Sequence, residues 1–420
     1  MKCTMKGFAA ILMTLFLVTG AFGNGKADAG DSGNKSATVE RWAFEPNGSL
    51  VIDLKTGGDV TVSAWDKNEV EITFIKRSAK PAIIEITTQA SDTKIKVNSR
   101  YTVRNPTGNN RLDLEVKVPR MISVGLNSSG GDVNLSGFTG HIAGTTMGGN
   151  ITMTRLEGTT EFKTMGGNIK VDSSRLNGSL TTMGGRIEIS SVFGAFKALT
   201  MGGSIVYTGA MFSSSEVNVD YSGDGYLETM GGTIEIKNSV QNLEAKTMGG
   251  SINIGETAGT ITASTMGGNI TLDKGLMAAI LTTMGGSITV GQAMGTIDAS
   301  TNGGNIQIDK TNMAATLSTM GGSLTIKDAN GSVAASSSGG NINVTVPENF
   351  PMTVDITLEI TRNSWKNYII KTALSLARTE EAGTMENDLK KTLYARGKTG
   401  EGTNLVTLTA TNGTISLAER

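Results

Sequence analysis

The sequence is poor in the residue types that most catalytic and metal sites require. Its 420 residues include one Cys, one His and six Pro, and aromatic residues make up only 5% of the chain. One His and one Cys exclude a zinc cluster built from these residues and leave almost no basis for a Cys nucleophile. Lys and Arg number 37 against 38 Asp and Glu, with no basic block, which argues against nucleic acid as a partner.

The only cysteine lies in a segment typical of an export signal. Two lysines precede an apolar run from Phe8 to Val18, and Ala21-Phe22-Gly23 follows as a small-x-small cleavage site. We interpret residues 1–23 as a signal peptide and residues 24–38 as a flexible linker. The apolar run is shorter than the ~20 residues of a membrane-spanning helix. The sequence therefore predicts a secreted chain, periplasmic or at the cell surface, that loses Cys3 on cleavage and does not span a membrane afterwards.

Glycine, in contrast, is abundant and periodic. The chain contains 55 Gly, and twelve Gly-Gly pairs follow one another in steps of 18 residues, apart from one step of 29. A fixed period of this length is typical of a solenoid whose coils pack only on their neighbours. The pairs begin at residues 130, 148, 166, 184, 202, 231, 249, 267, 285, 303, 321 and 339.

The residues that follow each pair decide between helix and strand. Apolar residues stand three and five positions after the first glycine, as in Ile187 and Ile189 or Ile252 and Ile254. This alternation indicates a strand with one buried face. A second short strand carries apolar residues at offsets 12 and 14 from the same glycine. We therefore predict an all-β chain that forms a single-stranded parallel β-helix, a β-solenoid with 18-residue coils.

Side-chain size alternates along the second strand. Where the residue at offset 12 has a large side chain, the residue at offset 14 has a small one, as in Ile261 and Ala263. The order inverts in the next coil with Ala279 and Leu281. A large residue then lies beside a small one in the next coil, which fills a narrow core. At ~4.8 Å per coil, the twelve pairs predict a rod about 60 Å long. We further expect the glycine pairs at corners where the backbone needs φ > 0.

The extent of the repeat defines three regions of the mature chain. We assign residues 129–346 to the β-solenoid repeats, residues 39–128 to an N-terminal β cap and residues 347–420 to a C-terminal cap. Solenoids need such atypical ends because an open last coil is an edge strand that recruits other chains. Within the C-terminal cap, the acidic pair Glu380-Glu381 falls in a polar stretch, residues 377–387, that we interpret as a solvated loop.

Three segments of the chain resemble a known family. They are residues 58–66 (Gly-Asp-Val-Thr-Val-Ser-Ala-Trp-Asp) with Asn68-Glu69-Val70, the junction from Val118-Pro119 to residues 128–133, and the ending from residues 400–402 to 411–415. They make the chain similar to the bacterial putative-adhesin family catalogued as domain of unknown function 4097. The resemblance implies an exported, right-handed β-helix. It brings no catalytic residues, and the fold does not fix a function.

Nine of the twelve glycine pairs are directly preceded by Thr-Met. Strand parity directs the Thr inward and the Met outward, whereas Met packed in the core is the alternative. The Met position holds Ser129, Asn302 and Ser338 in the other three coils, and a buried Asn there would need a partner. We therefore favour a partly exposed Met stripe as a partner surface. It consists of Met147, Met165, Met183, Met201, Met230, Met248, Met266, Met284 and Met320.

Two other patterns have a functional and a structural interpretation. The repeated Thr, from Thr146 onward, would form an ice-binding array if exposed, but parity favours an inward stack of hydroxyls bonded along the rod. Asp220, Ser222 and Asp224 alternate like the first ligands of a calcium loop, although Gly231 stands where the bidentate Glu belongs. We expect a polar turn without a cofactor there, with calcium as the alternative. The lone His141 is expected at the surface or in a cap rather than as a base.

The distribution of charge bears on the class of function. Charged residues of the coils fall mainly in turns, and the coils lack the long loops that build a cleft. The sequence therefore predicts a non-catalytic exported β-solenoid, adhesin-like or an envelope scaffold, that binds a protein or glycan through its repetitive faces. The alternative is a polysaccharide-processing β-helix enzyme, with carboxylates and Lys or Arg clustered on one face.

Overall fold

A computed structural model describes residues 35–78, 83–106, 108, 110–209, 223–361, 367–385 and 388–420. The described residues form 36 β-strands and no helix, which confirms the predicted all-β class. The predicted signal peptide with Cys3 lies outside the described residues. The first strand already begins at Lys35, inside the segment interpreted as a linker.

The strands fall into three sets along the chain. The N-terminal set is β1 (Lys35–Ala43), β2 (Gly48–Leu54), β3 (Val60–Trp65), β4 (Glu69–Arg77), β5 (Ile84–Ala90), β6 (Lys94–Tyr101) and β7 (Arg111–Pro119). The central set is β8 (Ile122–Ser128), β9 (Val133–Ser136), β10 (Thr139–Thr146), β11 (Ile151–Thr154), β12 (Glu157–Thr164), β13 (Ile169–Thr182), β14 (Ile187–Phe193), β15 (Phe196–Thr200), β16 (Ile205–Thr208), β17 (Gly225–Thr229), β18 (Ile234–Ser239), β19 (Leu243–Thr247), β20 (Ile252–Thr257), β21 (Ile261–Thr265), β22 (Ile270–Gly275), β23 (Ala279–Thr283), β24 (Ile288–Ala293), β25 (Ile297–Thr301), β26 (Ile306–Thr311), β27 (Ala315–Thr319), β28 (Leu324–Ile326), β29 (Val333–Ser337) and β30 (Ile342–Val346). The C-terminal set is β31 (Met352–Thr361), β32 (Ile370–Thr372), β33 (Ala377–Met385), β34 (Asp388–Thr399), β35 (Asn404–Thr411) and β36 (Ile415–Glu419).

Each coil contributes strands to two parallel stacks. In one stack the strands end just before a glycine pair, as β21 and β23 do, and in the other they begin just after one, as β20 and β22 do. Strands of consecutive coils pair in parallel, with partners 18 residues apart, or 29 apart where β15 meets β17. The predicted single-stranded parallel β-helix is therefore confirmed. A continuous cluster of buried apolar residues runs between the stacks from one end of the rod to the other.

The predicted alternation of side-chain size is present in the core. Ile261 lies beside Ala279 in the next coil, and Ala263 lies beside Leu281. The order inverts again one coil later, where Ala279 lies beside Ile297. All five residues are buried, so each large side chain extends over a small neighbour and the core keeps a nearly constant volume along the rod.

The structure corrects the reason predicted for the paired glycines. A left-handed φ occurs at Gly131 but at none of the pairs from Gly148 onward, so the expected φ > 0 in every coil is wrong. Instead, the second glycine of each pair lies directly against the backbone of the preceding coil. A Cβ on Gly250 would lie 1.9 Å from the carbonyl oxygen of Gly232, and the corresponding distance is 1.6–2.0 Å for every second glycine from Gly149 to Gly340. Close backbone approach is therefore what requires glycine.

A buried threonine hydroxyl links each second glycine to its neighbours. Thr265 Oγ1 donates to the carbonyl oxygen of Gly250 in the preceding coil at 2.8 Å, and it accepts the N–H of Gly268 in its own coil at 3.2 Å. The bond to the preceding coil recurs from Thr164 to Thr319 at 2.8–3.1 Å. The inward hydroxyl stack is thereby confirmed. Buried hydroxyls cannot form a surface array, so the ice-binding interpretation is wrong.

Each end of the rod contains a coil whose stacking partner lies 73 residues away. Asp132 N–H donates to Asp59 Oδ1 across this interval at 3.0 Å, and β3 pairs with β9 at the same interval, while β2 pairs with β8 at 74 residues. At the other end, β35 and β36 stack against β29 and β30 with an interval of 73 residues. The tetrapeptide Gly57-Gly58-Asp59-Val60 recurs as Gly130-Gly131-Asp132-Val133. A count in steps of 18 residues passes over this repetition, so the first coil was not predicted.

The segments inside those intervals close both ends with antiparallel strands. At the N-terminal end, β6 and β7 add an outer coil on β2 and β3, and β5 and β4 then run antiparallel to them. At the C-terminal end, β31 stacks on β35, and β34 and β33 follow as antiparallel strands. Ion pairs such as Arg41–Glu71 and Arg77–Asp113 cross between the N-terminal strands. Charged antiparallel strands at an edge hinder pairing with another chain.

The solvated loop predicted at residues 377–387 is wrong over its described part. Strand β33 pairs with β34 along its whole length, so Glu380 and Glu381 lie on a strand. Glu380 forms an ion pair with Lys391 at 2.8 Å, and Glu381 accepts a hydrogen bond from the Tyr394 hydroxyl at 3.3 Å. The strand is at the edge of its sheet and its side chains from Arg378 to Glu381 are exposed, which gives it the composition of a loop.

Substitution by alanine should change the unfolding free energy differently at the two glycines of a pair. Gly250→Ala places a Cβ 1.9 Å from a backbone oxygen, so we expect a loss of about 3 kcal/mol or more in unfolding free energy. In the matched control Gly249→Ala, the nearest atom is 3.8 Å away, and we expect nearly unchanged stability. Chemical denaturation of both variants measures the difference, and equal losses would contradict the close-approach explanation.

Candidate interaction face

The nine methionines predicted as a stripe lie on the outer surface of one corner of the rod. Each follows a buried threonine at the end of a strand, so the alternation of the strand turns the methionine outward. Their exposed fractions range from 45% at Met230 to 60% at Met147. The alternative of Met packed in the core is therefore wrong. We call these nine side chains the Met ladder.

Backbone hydrogen bonds fix the methionines one above the other. Met266 N–H donates to the carbonyl oxygen of Met248 at 3.2 Å, and Met248 N–H donates to that of Met230 at the same distance. In these coils the N–H of the glycine after the methionine shares the acceptor, as Gly267 does with Met248 at 3.0 Å. The ladder therefore has the ~4.8 Å spacing of neighbouring strands.

The first glycine of each pair leaves the Met ladder unshielded. A Cβ on Gly148, Gly166 or Gly184 would meet nothing within 4 Å, and at the later first glycines the nearest atom is at least 3.2 Å away. No first glycine from Gly148 onward has a left-handed φ. Neither space nor a left-handed backbone thus demands glycine here, and its consequence is an open surface beside each thioether.

Three coils show that the fold does not require methionine at this position. Ser129, Asn302 and Ser338 occupy it and are exposed. The backbone bonds of the ladder continue through Asn302, which donates to the carbonyl oxygen of Met284 at 3.2 Å and accepts from Gly321 at 2.9 Å. A small polar side chain therefore serves the structure as well as a thioether. Methionine in the other nine coils needs an explanation beyond folding.

A second ladder, which the sequence analysis missed, runs along the residue after each glycine pair. Asn168 N–H donates to Asn150 Oδ1 at 2.9 Å, and Ser287 N–H donates to Asn269 Oδ1 at 2.8 Å. Where serine stands, its hydroxyl accepts instead, as Ser251 does from Asn269 at 3.2 Å. The recurrence of Asn and Ser after Gly-Gly was visible in the sequence, but their bonding follows only from the coil stacking. These exposed side chains fasten neighbouring coils beside the Met ladder.

A further group of exposed apolar side chains lies at another turn of the coil. Met277, Met294 and Met313 come from three consecutive coils, and the Asn312 amide contacts the Met294 sulfur at 3.3 Å. Leu276 and Ile280 are exposed in the first of these coils. The spacing of these residues alternates between coils, which is why a search for a constant offset missed them.

Several charged side chains on the coils form ion pairs. Lys274 pairs with Glu256 in the preceding coil at 2.7 Å, and Lys327 pairs with Asp309 at 2.7 Å. The hydrogen bond from Lys327 holds the pKa of the Asp309 carboxyl below its ordinary value. Such a carboxylate is ionised and matched, which suits ordering of the surface better than proton transfer.

The other candidate site residues of the sequence are Asp220, Ser222, Asp224 and His141. Asp220 and Ser222 lie outside the described residues, while Asp224 accepts a hydrogen bond from the Asn242 amide at 3.1 Å. His141 is exposed, and its Nδ1 lies 2.8 Å from Thr159 Oγ1. Among the described residues, no three His, Cys, Asp or Glu side chains form a group that could hold a metal ion.

The C-terminal end of the rod carries a surface depression. An open depression of about 520 Å³ at the C-terminal end is lined by residues that include Glu348, Lys371 and Arg420. Arg420 is ion-paired with Asp328 at 3.1 Å.

The part of the chain that the structure describes contains no helix with the length and apolar character needed to cross a membrane.

Comparison with known proteins gives fold neighbours of low similarity. No protein-family model matches the chain, and no curated protein matches it. A putative cell adhesion protein from Clostridium sporogenes is 10% identical, with 92% of this chain and all of that chain covered and a TM-score of 0.19. A putative adhesin from Bacteroides fragilis is 14% identical, with 74% and 97% covered and a TM-score of 0.24.

Another neighbour bears a different name. A putative lipid binding protein from Parabacteroides distasonis is 11% identical, with 74% of this chain and 98% of that chain covered and a TM-score of 0.17. The adhesin names agree with the family that the sequence resembles. At these TM-scores the likeness carries no argument about what the present chain binds.

The accessibility of the Met ladder predicts its reactivity with peroxide. Ladder methionines should become sulfoxides in the folded protein, whereas Met153 and Met352, both 0% exposed, should stay reduced because oxidant cannot reach their sulfur. Mass spectrometry of peptides after mild peroxide treatment compares the two sets. Protection of the ladder methionines to the level of Met153 would show that their sulfur atoms are not accessible.

Proposed function

We propose that the protein is a non-catalytic exported β-solenoid, adhesin-like or an envelope scaffold, that binds a protein or glycan through the Met ladder face. One observation carries the proposal: eight consecutive coils, from Met147 to Met284, present the same exposed thioether although exposed Ser or Asn satisfies the same backbone elsewhere. Seven steps of ~4.8 Å make this run about 34 Å long.

The physical character of the face supports binding. Methionine side chains are unbranched and polarisable, so they adapt to different partner surfaces. The backbone beneath them is already ordered by bonds between coils, such as that from Met248 to Met230. A partner therefore meets a surface that loses little backbone entropy on binding. A row of exposed apolar groups with such regular spacing suits an elongated partner or one with many identical units.

The alternative of a polysaccharide-processing enzyme has less support in the coils. Several of their carboxylates pair with lysines, as Asp309 does with Lys327 and Glu256 with Lys274. An acid or base for sugar chemistry needs a carboxyl that can exchange a proton near the reaction pH. Turnover of a polyuronate or another polysaccharide by the purified chain would overturn the non-catalytic assignment.

Export and surface location belong to the same proposal and predict accessibility on cells. The predicted signal peptide, residues 1–23, supports export. For a surface adhesin, a tagged copy on intact cells should be degraded by added protease, while a cytoplasmic marker stays intact. Protection on intact cells with degradation after opening of the outer envelope would contradict the adhesin role and leave the envelope scaffold. Protection in both conditions, with an unfolded control degraded, would show only that the rod resists protease, so a tag-specific antibody on intact cells is the second measurement.

A further inference from the structure

We propose that the Met ladder binds soft monovalent metal ions, Cu(I) or Ag(I), between the thioethers of adjacent coils. The proposal goes beyond the scaffold role because it needs neither a protein nor a glycan partner. It rests on four properties of the ladder: the chemistry of its ligand atoms, their spacing, their accessibility and the pattern of its breaks.

The ligand chemistry selects the class of metal. A thioether is a neutral, soft ligand, and soft sulfur ligands favour Cu(I) over hard cations such as Mg²⁺ and Ca²⁺, which prefer oxygen. No group of three His, Cys, Asp or Glu in the described part of the chain offers a competing site. The accessible sulfur atoms of the Met ladder are the soft ligands that this part of the chain presents in number.

The spacing of the ladder suits one ion between two neighbours. Backbone bonds from Met248 to Met230 and from Met266 to Met248 hold consecutive methionines one strand apart, about 4.8 Å. A metal–sulfur bond is about 2.3 Å long, so an ion between two sulfur atoms spans nearly the same distance. Three rotatable bonds let each side chain adjust its sulfur atom to the ion.

The surroundings of the ladder leave the sulfur atoms open to an ion from solution. The methionines are about half exposed, from 45% to 60%. The first glycine that follows each of them adds no side chain, although neither space nor a left-handed φ requires glycine there. Access of an ion to the sulfur atoms explains why a glycine follows each methionine, whereas packing alone does not.

The breaks in the ladder provide an internal comparison. Eight methionines from Met147 to Met284 occupy consecutive coils, so each has at least one neighbouring thioether. Met320 lies between Asn302 and Ser338, so neither adjacent coil has a methionine at the ladder position. It is as exposed as the others but lacks a partner sulfur atom along the ladder. We therefore assign tight binding to the run of eight and not to Met320.

Two variants with equal numbers of methionines isolate the effect of adjacency. In the first, Met147, Met165, Met183 and Met201 are changed to Leu, so that four consecutive ladder methionines and Met320 remain. In the second, Met165, Met201, Met248 and Met284 are changed to Leu, so that five ladder methionines remain and none has a neighbour in an adjacent coil. Both full-length chains also carry Cys3→Ser, which removes the only thiol. Leucine preserves apolar size, and circular dichroism checks that both variants fold.

The measurement is titration with Ag(I), and with Cu(I) under anaerobic conditions against a chromophoric Cu(I) chelator. We expect the first variant to keep tight sites and the second to bind about 100-fold more weakly, since two linked ligands bind far more tightly than one. Equal affinity in the two variants would overturn the proposal, and so would the absence of uptake by the unsubstituted ladder. Either failure leaves the scaffold role intact, because surface exposure and partner binding are measured separately.

A gain-of-function variant tests the same geometry in the opposite direction. Asn302→Met closes the gap between Met284 and Met320 and makes ten consecutive ladder methionines. We expect a higher Ag(I) stoichiometry than in the parent chain, with Met320→Leu in the parent background as a control that changes nothing. An unchanged stoichiometry in correctly folded Asn302→Met would contradict binding between adjacent coils.

Discussion

The structure depends on the contact between the second glycine of one coil and the backbone of the next. Gly250 approaches Gly232 so closely that no Cβ fits between them, and the hydroxyl of Thr265 binds the carbonyl oxygen of Gly250 from the following coil. A carbonyl group buried at such a contact would otherwise lack a partner, at a cost of about 1–3 kcal/mol. Because the contact recurs in every coil, it sets the position of the corner and the register of both strand stacks.

Because of this constraint, neighbouring residues of one motif have different structural roles. In Thr-Met-Gly-Gly, the threonine hydroxyl and the second glycine, which has no Cβ, serve the stack, whereas the methionine and the first glycine contribute only backbone hydrogen bonds to it. Ser337 can replace the threonine because its hydroxyl makes the same pair of bonds. Asn302 can replace the methionine because only its backbone takes part. The fold does not require the methionine side chain, yet methionine recurs in nine coils. This position is therefore a candidate for binding.

The sequence predicts most of the repeat because each coil faces the same physical demands. The 18-residue period, the inward Ile pairs and the size alternation of Ile261 and Ala263 follow from the need to fill one narrow core. The reason for the paired glycines did not follow, since a glycine required by φ and one required by close approach look alike in a sequence. The coil at Gly57-Gly58 escaped the count because its stacking partner follows 73 residues later, after the strands that close this end of the rod. Strand β33 escaped because an edge strand with Glu380 and Glu381 has the composition of a loop.

The central claim is that methionine in the ladder serves binding and not folding. Its most direct test is the thermal unfolding of a chain in which all nine ladder methionines are replaced by Ser, the residue found at positions 129 and 338. Exposed substitutions usually change stability by within about ±0.5 kcal/mol each, so that gains and losses largely offset, and we predict a folded rod with a cooperative transition close to that of the parent. A chain that fails to fold, or that melts far below the parent, would show that the methionines hold the coils together and would contradict the account.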